Sequence, residues 1–512
     1  MLLLPILGRD FFPEVDTGNM LMHLRAPAGT KVEESARIVD KVEQVFRKVI
    51  PPEELAGIVD NVGIPNSGIS LSYSNNGLIG AGDADIIVSL KEHHKPTGHY
   101  IRTLRELLRH DFPELMIYFL PADIVSQTLN FGLPAPFDIQ IMGRDIEGNR
   151  IIAHRLEEQI RHVPGAVDVR VQQPANQPKI FVNVDRDKAS ELGLTEQDVA
   201  RNVLLTLSGS AQTQPAYWIH PQTGVNYSVN ARVPEYNAGS VDALQNIPIA
   251  KPGATDPNST QLLANLASLK RGQGSPVYSH YQATPVVNVY GGVSGRDLGG
   301  VLADIEPLLE KAKKDLPRGS VIKLRGQALT MKESFEGLGW GLVAAVICMY
   351  LLLVVNFQSW LDPFIILTGL VGAVSGVVWI LFLTQTTLSV PALMGALMTL
   401  GVSTANSVLV VTFARDRMHE GRTAFQAAVD AGRTRLRPVI MTALAMIVGM
   451  IPLSLGLGEG GEQNAPLGRA VIGGLALATF ATLFFVPVVF SIFHRNTKPG
   501  LPPTLEEEEL MA

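Results

Sequence analysis

The sequence predicts an α+β region of about 330 residues followed by an all-α bundle of five transmembrane helices. Charge is unevenly divided: of the 90 Asp, Glu, Lys and Arg residues, 71 lie at positions 1–336 and 19 in the last 176 residues. Four stretches contain no Asp, Glu, Lys, Arg or His: 337–361, 363–414, 438–458 and 470–493. Since a membrane span needs about 20 apolar residues, the two parts of the chain are predicted to lie in water and in lipid.

The charge-free stretches predict five helices rather than four. The stretch 363–414 has 52 residues, too many for one span, and its polar middle at 384–389, followed by Pro391, predicts a turn between two helices. A soluble helical core is the alternative, and 122 charge-free residues in four stretches argue against it. The predicted transmembrane domain covers 336–496, with helices at about 337–358, 362–383, 389–413, 437–457 and 468–493.

The loop predicted at 415–437 sets the orientation. It contains six arginines against three acidic residues, which predicts a cytoplasmic location. An odd number of helices then places everything before residue 336 outside the cytoplasm. Export of such a region requires a preceding span, so residues 1–9 are predicted to end a truncated transmembrane helix. The tail 497–512, with two prolines and four consecutive glutamates, is predicted to be a disordered acidic segment.

The external region predicts the same fold twice. Alternation at 19–25 indicates a strand, and Thr30 is expected to begin a capping box in front of an amphipathic helix that ends near Ile50. Further strands and helices give the order β-α-β-β-α-β up to residue 120, and this order recurs between 136 and 325 around an insertion at 177–272. Two split βαβ (ferredoxin-like) subdomains are therefore predicted, with a third subdomain inserted in the second.

Several classes of protein are excluded by composition and motifs. Cys348 is the single cysteine, so neither an internal disulfide nor a cysteine-based metal cluster can form. A net charge of −6 with interspersed signs gives no basic surface for nucleic acid. The sequence contains no Walker loop, no GxSxG and no HExxH motif, so we do not expect an enzyme.

Four motifs carry a resemblance to a known family. They are NFQSWLDPFIIL at 356–367, GVSTANSVLVV at 401–411, TRLRPVIMTALAMIVGMIPL at 434–453 and QNAPLGRAVIGGL at 463–475. In their order and spacing, from about Gly8 to Phe493, they resemble the C-terminal half of AcrB-type multidrug efflux transporters of the resistance-nodulation-division family. The resemblance implies a first porter subdomain at 10–130, a second at 131–176 and 273–330, and a docking subdomain at 177–272.

The resemblance also implies a setting. The chain would be half of a proton-driven permease in the inner membrane of a Gram-negative bacterium, multi-pass, with a large periplasmic domain. Its partners would be the N-terminal half of the same pump, two further copies in a homotrimer, a periplasmic adaptor, an outer-membrane channel and membrane lipid. The proton motive force would supply the energy, with no bound cofactor.

The expected proton path has neutral residues in this half. The charge-free stretches of the predicted helices contain no Asp, Glu, Lys, Arg or His, and where the family usually has a lysine this chain has Ala405. Proton uptake would then depend on carboxylates of the other half, with Asn406 and Thr442 as neutral neighbours. Arg435 matches a family arginine near the cytoplasmic end of the path, and a positive-inside charge is its alternative interpretation.

A glycine-rich loop at 74–82 is the candidate for the substrate path. Its glycines permit rearrangement and its apolar residues could contact a passing ligand. In the resembling pumps a flexible loop at this place separates two substrate pockets, whereas on sequence alone an ordinary long hairpin is the simpler interpretation. The residues assigned to this path are Gly77, Leu78, Ile79, Gly80 and Gly82.

The sequence favours small amphiphilic organic substrates and predicts no metal site. Metal-exporting relatives use porter methionines, and the methionines before the membrane region do not cluster: Met20, Met22, Met116, Met142 and Met331. His93, His94 and His99 are expected to lie together at the surface. Two alternatives stay open: a heavy-metal cation exporter of the same superfamily, and a non-transporting membrane scaffold or export accessory.

Overall fold

The computed structural model of the chain describes residues 7–64, 80–130, 132–213, 215–237, 239–251, 253, 260–457 and 460–495. The chain divides into two compact units, Met1–Gln173 with Val277–Ala512, and Pro174–Pro276. The first unit contains two α/β layers and the helical bundle. The division lies within four residues of the predicted insertion at 177–272, and the assignment of that insertion as a docking subdomain stays a prediction.

The first α/β layer has helices on one face of a four-stranded antiparallel sheet of order β2-β3-β1-β4. Its elements are β1 (Asn19–Arg25), α1 (Val32–Val49), β2 (Leu55–Val62), β3 (Asp83–Leu90), α2 (Thr97–Asp111) and β4 (Met116–Leu120). Alternate strand residues such as Met22 and Ile86 pack against Phe46 of α1 and Leu104 of α2 to form a buried core. The period-2 pattern of the strands therefore separates an apolar face from a polar one.

The predicted capping box at Thr30 is wrong. The residue that precedes α1 is Lys31, and its side chain makes no capping hydrogen bond. The Thr30 hydroxyl instead donates to the carbonyl of Pro27 at 2.7 Å. The Thr30 hydroxyl, which the sequence pattern assigned to the helix N-terminus, thus forms a local hydrogen bond within the preceding turn.

The second α/β layer follows the same plan. Strands β13-β14-β5-β15 form one path, and β6 also pairs with β14. Its elements are α3 (Ile124–Leu129), β5 (Phe137–Met142), α4 (Ile146–Arg161), β6 (Ala166–Val171), β13 (Ser279–Tyr281), β14 (Thr284–Val293), α10 (Leu298–Lys314) and β15 (Val321–Gly326). Phe137, Ile139 and Ile141 of β5 face α4 and α10 in one buried cluster.

The second unit has its own small core around Leu263 and Leu266. Its strands pair as β7–β12, β8–β9 and β10–β11. The elements are β7 (Gln177–Val184), α5 (Arg186–Glu191), α6 (Glu196–Ser208), α7 (Ser210–Thr213), β8 (Ala216–Ile219), β9 (Asn226–Val229), α8 (Val241–Gln245), β10 (Pro248–Ile249), β11 (Gln261–Leu262), α9 (Leu263–Leu266) and β12 (Ala267–Gly274). A capping box between Thr195 and Asp198 begins α6.

The C-terminal part contains five helices long and apolar enough to cross a membrane. Four are continuous: α11 (Gln327–Phe357), α12 (Leu361–Leu383), α13 (Val390–His419) and α14 (Ala424–Ser454). The fifth consists of α15 (Ala465–Phe480), a π-helical turn (Ala481–Phe485) and α16 (Val486–Phe493), after a 3₁₀ turn (Gly461–Gln463). The predicted mixed α/β region followed by a five-helix bundle is confirmed at this level.

Three helix boundaries differ from the predicted ones by six residues or more. Helix α11 begins ten residues before 337, directly after β15. The predicted cytoplasmic loop 415–437 is mostly helix, because α13 runs to His419 and α14 begins at Ala424, capped by Thr423 and Gln426. Counting charge-free residues finds only the part of a helix that lies in lipid, whereas backbone hydrogen bonds continue into water.

Close helix packing in the bundle depends on glycine. A Cβ added at Gly376 of α12 would lie 2.2 Å from the carbonyl oxygen of Gly473 on α15, so two backbones are in direct contact there. A Cβ at Gly395 of α13 would likewise lie 2.7 Å from the carbonyl oxygen of Leu467. Small residues allow this approach between membrane helices, where packing replaces the hydrophobic effect as the driving force.

Candidate functional site

A layer of buried polar and charged residues, here called the polar layer, connects the helix-free faces of the two sheets. From the first sheet it contains His23, Arg25, Asp83, Asp85 and Tyr118, and from the second Asp138, Gln140, Arg170, Asn288 and Tyr290. Each residue is less than 9% exposed. Their strand neighbours, Met22 and Ile139 among them, face the helices, so alternation along the strands produces both the core and the layer.

His23 lies at the centre of the first sheet's contribution. Its Nδ1 is 2.6 Å from Oδ1 of Asp85, and its Nε2 is 3.4 Å from Oδ1 of Asp83. The same Asp83 oxygen accepts a hydrogen bond from Nε of Arg25 at 2.6 Å. Burial by itself would raise the pKa of Asp83, but the His23 hydrogen bond and the Arg25 charge outweigh it and hold that pKa below its usual value.

Aromatic stacking extends the layer to the second sheet. Tyr118 stacks on His23 with ring centroids 4.7 Å apart, and the guanidinium of Arg170 lies 3.4 Å from the centroid of the Tyr118 ring. Arg170 is 2% exposed, and burial lowers its pKa. An arginine remains protonated in proteins, so the layer holds a buried cation whose charge interacts with an aromatic face.

Asp138 is the buried carboxylate of the second sheet. It accepts hydrogen bonds from the side-chain amides of Asn288, at 2.9 and 3.0 Å, and of Gln140 at 2.8 Å. Desolvation by burial raises the pKa of Asp138 to about 6 in spite of these bonds. Tyr290 lies directly opposite Asp138 in the strand register, and its ring is 5.4 Å from the Arg170 guanidinium.

Strand β6 carries the contacts between the two α/β layers. Arg105 of α2 donates two hydrogen bonds to the carboxylate of Asp168, at 3.0 and 2.8 Å, and the Phe119 amide adds a third. Asp168 lies at a bulge in the pairing of β6 with β14 and has a positive φ of 55°. The bulge re-aims the carboxylate toward the first layer, and Arg25 also donates to the carbonyl of Gln172 just after β6.

The structure describes only the end of the predicted substrate loop. Gly77, Leu78 and Ile79 lie outside the described residues. The Gly80 amide donates to Oδ2 of Asp83 at 2.9 Å, and the Gly82 carbonyl accepts from the Ala26 amide at 2.8 Å. The loop therefore ends at the polar layer, because Asp83 binds both the loop backbone and the His23–Arg25 pair. The role of the loop in transport stays a prediction.

The predicted proton-path residues differ in burial. Asn406 is buried, whereas Ala405 and Thr442 are exposed on the surface of this half. The Thr442 hydroxyl donates to the carbonyl of Val439 within its own helix. The guanidinium of Arg435 lies 5.1 Å from the centroid of the Phe413 ring. Their participation in proton transfer stays a prediction.

A buried ionisable side chain lies at the end of one membrane helix, while the expectation that none is buried within the bilayer stays a prediction. Asp362, in the first turn of α12, is 3% exposed. Its oxygens lie 3.3 Å from Nη1 of Arg415 and 3.2 Å from Nε2 of His494. Asp362 separates two charge-free stretches in the sequence, whereas in the folded bundle it is surrounded by α13 and α16. It is stabilised there by two partners far away in the chain.

Sequence reasoning also missed the polar layer. The pattern at 19–25 predicts a strand with one polar face, and polar strand faces usually lie toward water. Buried positions for His23 and Arg25 follow only from the second sheet, about 110 to 270 residues further along the chain. Two charged residues at alternate positions in each of two strands, His23 with Arg25 and Asp83 with Asp85, were the available signal.

Within the described ranges, no group of three His, Cys, Asp or Glu side chains has the geometry to hold a metal ion. The polar layer nevertheless places one imidazole and two carboxylates in a row, with arginines as counter-charges. The arrangement can bind a cation only after Arg25 leaves Asp83, because the guanidinium now occupies that carboxylate.

Comparison with known proteins assigns the family. The model of the AcrB/AcrD/AcrF family matches residues 1–494. The chain belongs to this family of resistance-nodulation-division transporters. Its five apolar helices and this membership make it a multi-pass membrane protein.

Individual relatives point to metals more than to drugs. The chain is 25% identical over 497 residues to the cobalt-zinc-cadmium resistance protein CzcA of Cupriavidus metallidurans, covering 96% of this chain and 45% of CzcA. It is 32% identical over 320 residues to the swarming motility protein SwrC of Bacillus subtilis, covering 62% of this chain and 29% of SwrC. The chain thus spans about half the length of the curated relatives it matches or less.

A solved structure supports the fold. A crystal structure of a heavy metal efflux pump superposes with a TM-score of 0.79 at 23% identity, covering 96% of this chain and 48% of that one. The expectation of multidrug specificity finds no support among these relatives, several of which are named as metal-resistance proteins.

Proposed function

We propose that this chain is one half of a proton-driven permease that exports divalent transition-metal cations. The family and the fold support an efflux permease, and the metal-resistance relatives favour the metal cargo over the amphiphilic cargo that the sequence predicts. The methionines before the membrane region do not cluster, and this argues only against soft ions such as Cu(I). Zinc, cobalt and nickel accept imidazole and carboxylate ligands.

The polar layer is the observation that carries the proposal. His23, Asp83 and Asp85 provide nitrogen and oxygen donors within one buried group, and Arg25 neutralises Asp83 in the arrangement described. A divalent cation that replaces the Arg25 guanidinium at Asp83 would keep the carboxylate compensated while the two α/β layers separate. An unpaired buried carboxylate costs several kcal/mol, and replacement of the guanidinium by a cation avoids this cost.

The remaining features of the proposed pump follow its family. The chain would work with an N-terminal half, in a trimer, with a periplasmic adaptor and an outer-membrane channel, in the inner membrane. The proton motive force would drive it, since one charge crossing the membrane yields roughly 2.3 kcal/mol per 100 mV. The chain itself would perform no catalytic chemistry.

Proteoliposomes containing the assembled pump test the proposal. Under an imposed pH gradient, Zn²⁺, Co²⁺, Ni²⁺, Cd²⁺ and an amphiphilic dye are each offered as cargo, and transport is followed by fluorescence. We expect gradient-dependent movement of at least one metal. Asp83→Asn should reduce its rate by about tenfold or more, because the variant loses a charged ligand.

Asp60→Asn is the matched control, since Asp60 is exposed on β2 of the same sheet. It should transport like the wild type. Gradient-dependent movement of the dye without any metal would instead support the amphiphile exporter. Movement of neither, by a pump that is correctly assembled, would support a scaffold without transport.

A further inference from the structure

Residues 8–18, here called the strap, form a segment that contacts both the membrane bundle and the two α/β layers. The strap contains neither a helix nor a named strand. It precedes β1, whereas its partners come from four distant parts of the chain. At each end one aspartate is bound to a helix N-terminus, and the strap backbone is bound to a loop between membrane helices.

The first end of the strap binds the loop between α12 and α13. The Leu388 amide donates to the carbonyl of Gly8 at 2.7 Å, and the Asp10 amide donates to the carbonyl of Leu388 at 3.0 Å. The Val390 amide donates to the carbonyl of Phe11 at 3.2 Å, so the bonds continue into the first residue of α13. Arg9 and Leu388 thus form a parallel β-bridge that fixes the strap to this loop.

The same end binds the N-terminus of α10 in the second α/β layer. The Leu298 amide, the first in α10, donates to Oδ1 of Asp10 at 2.7 Å. The Gly299 amide donates to the carbonyl of Arg9 at 2.8 Å, and the Arg9 amide donates to Oδ2 of Asp297 at 2.8 Å. A carboxylate at a helix N-terminus is favoured both by unpaired amides and by the helix dipole.

The other end of the strap repeats this arrangement with the first α/β layer. The Thr97 amide donates to Oδ2 of Asp16, and the Thr97 hydroxyl donates to Oδ1, both at 2.9 Å. Thr97 is the first residue of α2. The Asp16 amide donates to Oε2 of Glu462 at 2.9 Å, and Glu462 belongs to the 3₁₀ turn between α14 and α15.

Each aspartate therefore connects one membrane loop with one helix behind a sheet. Helices α2 and α10 pack on the sheets whose other faces meet at the polar layer. Separation of the two layers requires these helices to move relative to one another. A displacement of either membrane loop would pull on the strap and, through it, on the N-terminus of α2 or α10.

We propose that the strap couples helix movement in the bundle to opening of the polar layer, with Asp10 and Asp16 as positioning residues. This inference rests on the proposed transport function but not on the identity of the cargo. Transmission depends on the strap being taut between two fixed points, six residues apart in sequence. Each fixed point requires a side-chain oxygen that accepts the helix amide.

The test uses the full chain assembled with its other half in proteoliposomes. Cys348 is replaced by serine so that it is not labelled. Spin labels are then attached to cysteines introduced by Glu106→Cys in α2 and Glu310→Cys in α10, both at exposed positions. The distance distribution between the labels is measured with and without an imposed pH gradient, in the absence of cargo. Zn²⁺-stimulated proton flux is measured separately on unlabelled protein.

Asp10→Ala with Asp16→Ala should abolish the gradient-dependent shift in label distance. Zn²⁺-stimulated proton flux should fall by about tenfold, while Zn²⁺ binding stays unchanged. Asp10→Asn and Asp16→Asn should retain most of the shift, because the amide oxygen can still accept the helix N–H. Asp40→Ala, on the exposed side of α1, is the control and should behave like the wild type.

Insertion of two glycines between Pro13 and Glu14 tests tension alone, because both aspartates keep their contacts while the strap becomes slack. We expect the same loss of the distance shift as in the double alanine variant. An unchanged shift in the glycine insertion or the alanine variant would overturn the proposal, as would an equal loss in the asparagine variants. A wild type that moves no cargo but shows the distance shift would contradict the proposed function and leave the coupling supported.

Discussion

The polar layer and the interior of the helical bundle solve the same problem in opposite ways. Both regions bury polar side chains, but the layer contains ionised groups with counter-charges, whereas the centre of the bundle contains neutral hydroxyls. Ser407 of α13 and Thr482 of the π-helical turn share a hydrogen bond of 3.0 Å there, and charged groups such as Asp362 lie at the helix ends. In the described residues, the buried carboxylates of Asp83, Asp168 and Asp362 each have an arginine or histidine beside them, whereas Asp138 is held by neutral amides.

The largest expected effect concerns backbone packing in the bundle. Gly376→Val should reduce the free energy of unfolding by about 4 kcal/mol, because its Cβ would lie 2.2 Å from the Gly473 carbonyl oxygen and neither backbone can yield. Pulse proteolysis of the detergent-solubilised pump measures the loss. Gly449→Val is the matched control on α14, where an added Cβ has no neighbour within 4 Å. Equal losses in the two variants would contradict the packing argument.

The second-largest loss of stability is expected when a counter-charge is removed from the contact between the two α/β layers. Arg105→Ala should reduce the free energy of unfolding by about 3 kcal/mol, because Asp168, whose side chain is 4% exposed, would lose its bidentate partner. Adding Asp168→Asn to Arg105→Ala should recover part of the loss in a double-mutant cycle. Arg109→Ala, exposed on the same helix, is the control. Additive losses in the cycle would mean that the pair is not coupled.

The free energy of unfolding should depend on pH through Asp138 of the polar layer. Its folded-state pKa of about 6 lies above the ordinary value of 3.8, so ionisation is harder in the folded protein. The stability that protonated Asp138 contributes is fully present below its pKa in the unfolded chain and is lost as the pH rises through 6. Between pH 4 and pH 8, the wild type should therefore lose about 2 kcal/mol relative to Asp138→Asn.

Equilibrium unfolding of both proteins across this pH range measures the difference. Asp60→Asn on β2 provides the control, since this exposed carboxylate should give no such divergence from the wild type. Parallel pH profiles for wild type and Asp138→Asn would show that the layer does not penalise the Asp138 charge.

The smallest effect is expected for the neutral pair in the bundle. Ser407→Ala should cost about 1 kcal/mol, because Thr482 loses its interhelical partner without leaving a charge unpaired. Ser403→Ala, one turn earlier on α13, should cost less, since in the described part of the chain its hydroxyl has no hydrogen-bond partner. A loss for Ser407→Ala as large as that for Arg105→Ala would remove the distinction between the two regions.

Local patterns were sufficient for most elements of secondary structure. The strand predicted at 19–25 has the bounds of β1, and the helix predicted to end near Ile50 ends at Val49. Helix ends were less accessible to prediction. The capping box at Thr423 lies within a stretch whose arginines suggested a loop, and Thr30, which has the matching pattern, bonds to Pro27 instead.

The candidate site lies beside residues that the sequence singled out. Gly80 and Gly82 lie next to the polar layer through Asp83 and Ala26, and their role in a substrate path stays a prediction. The sequence did not indicate His23 or Arg170, because one strand cannot reveal whether its polar face meets water or another sheet. The cargo expected from the methionines was also not supported by the relatives.

The sequence by itself determined which solvent each segment occupies and which side of each strand is apolar, since both depend on residues close together in the chain. Tertiary structure alone decided that the polar sides of two sheets are buried together and that the strap binds two helices and two membrane loops. Buried carboxylates such as Asp83, Asp168 and Asp362 have a counter-charge at about 3 Å, and that partner lies about 50 to 130 residues away in the chain. Such a pairing leaves no mark on local sequence.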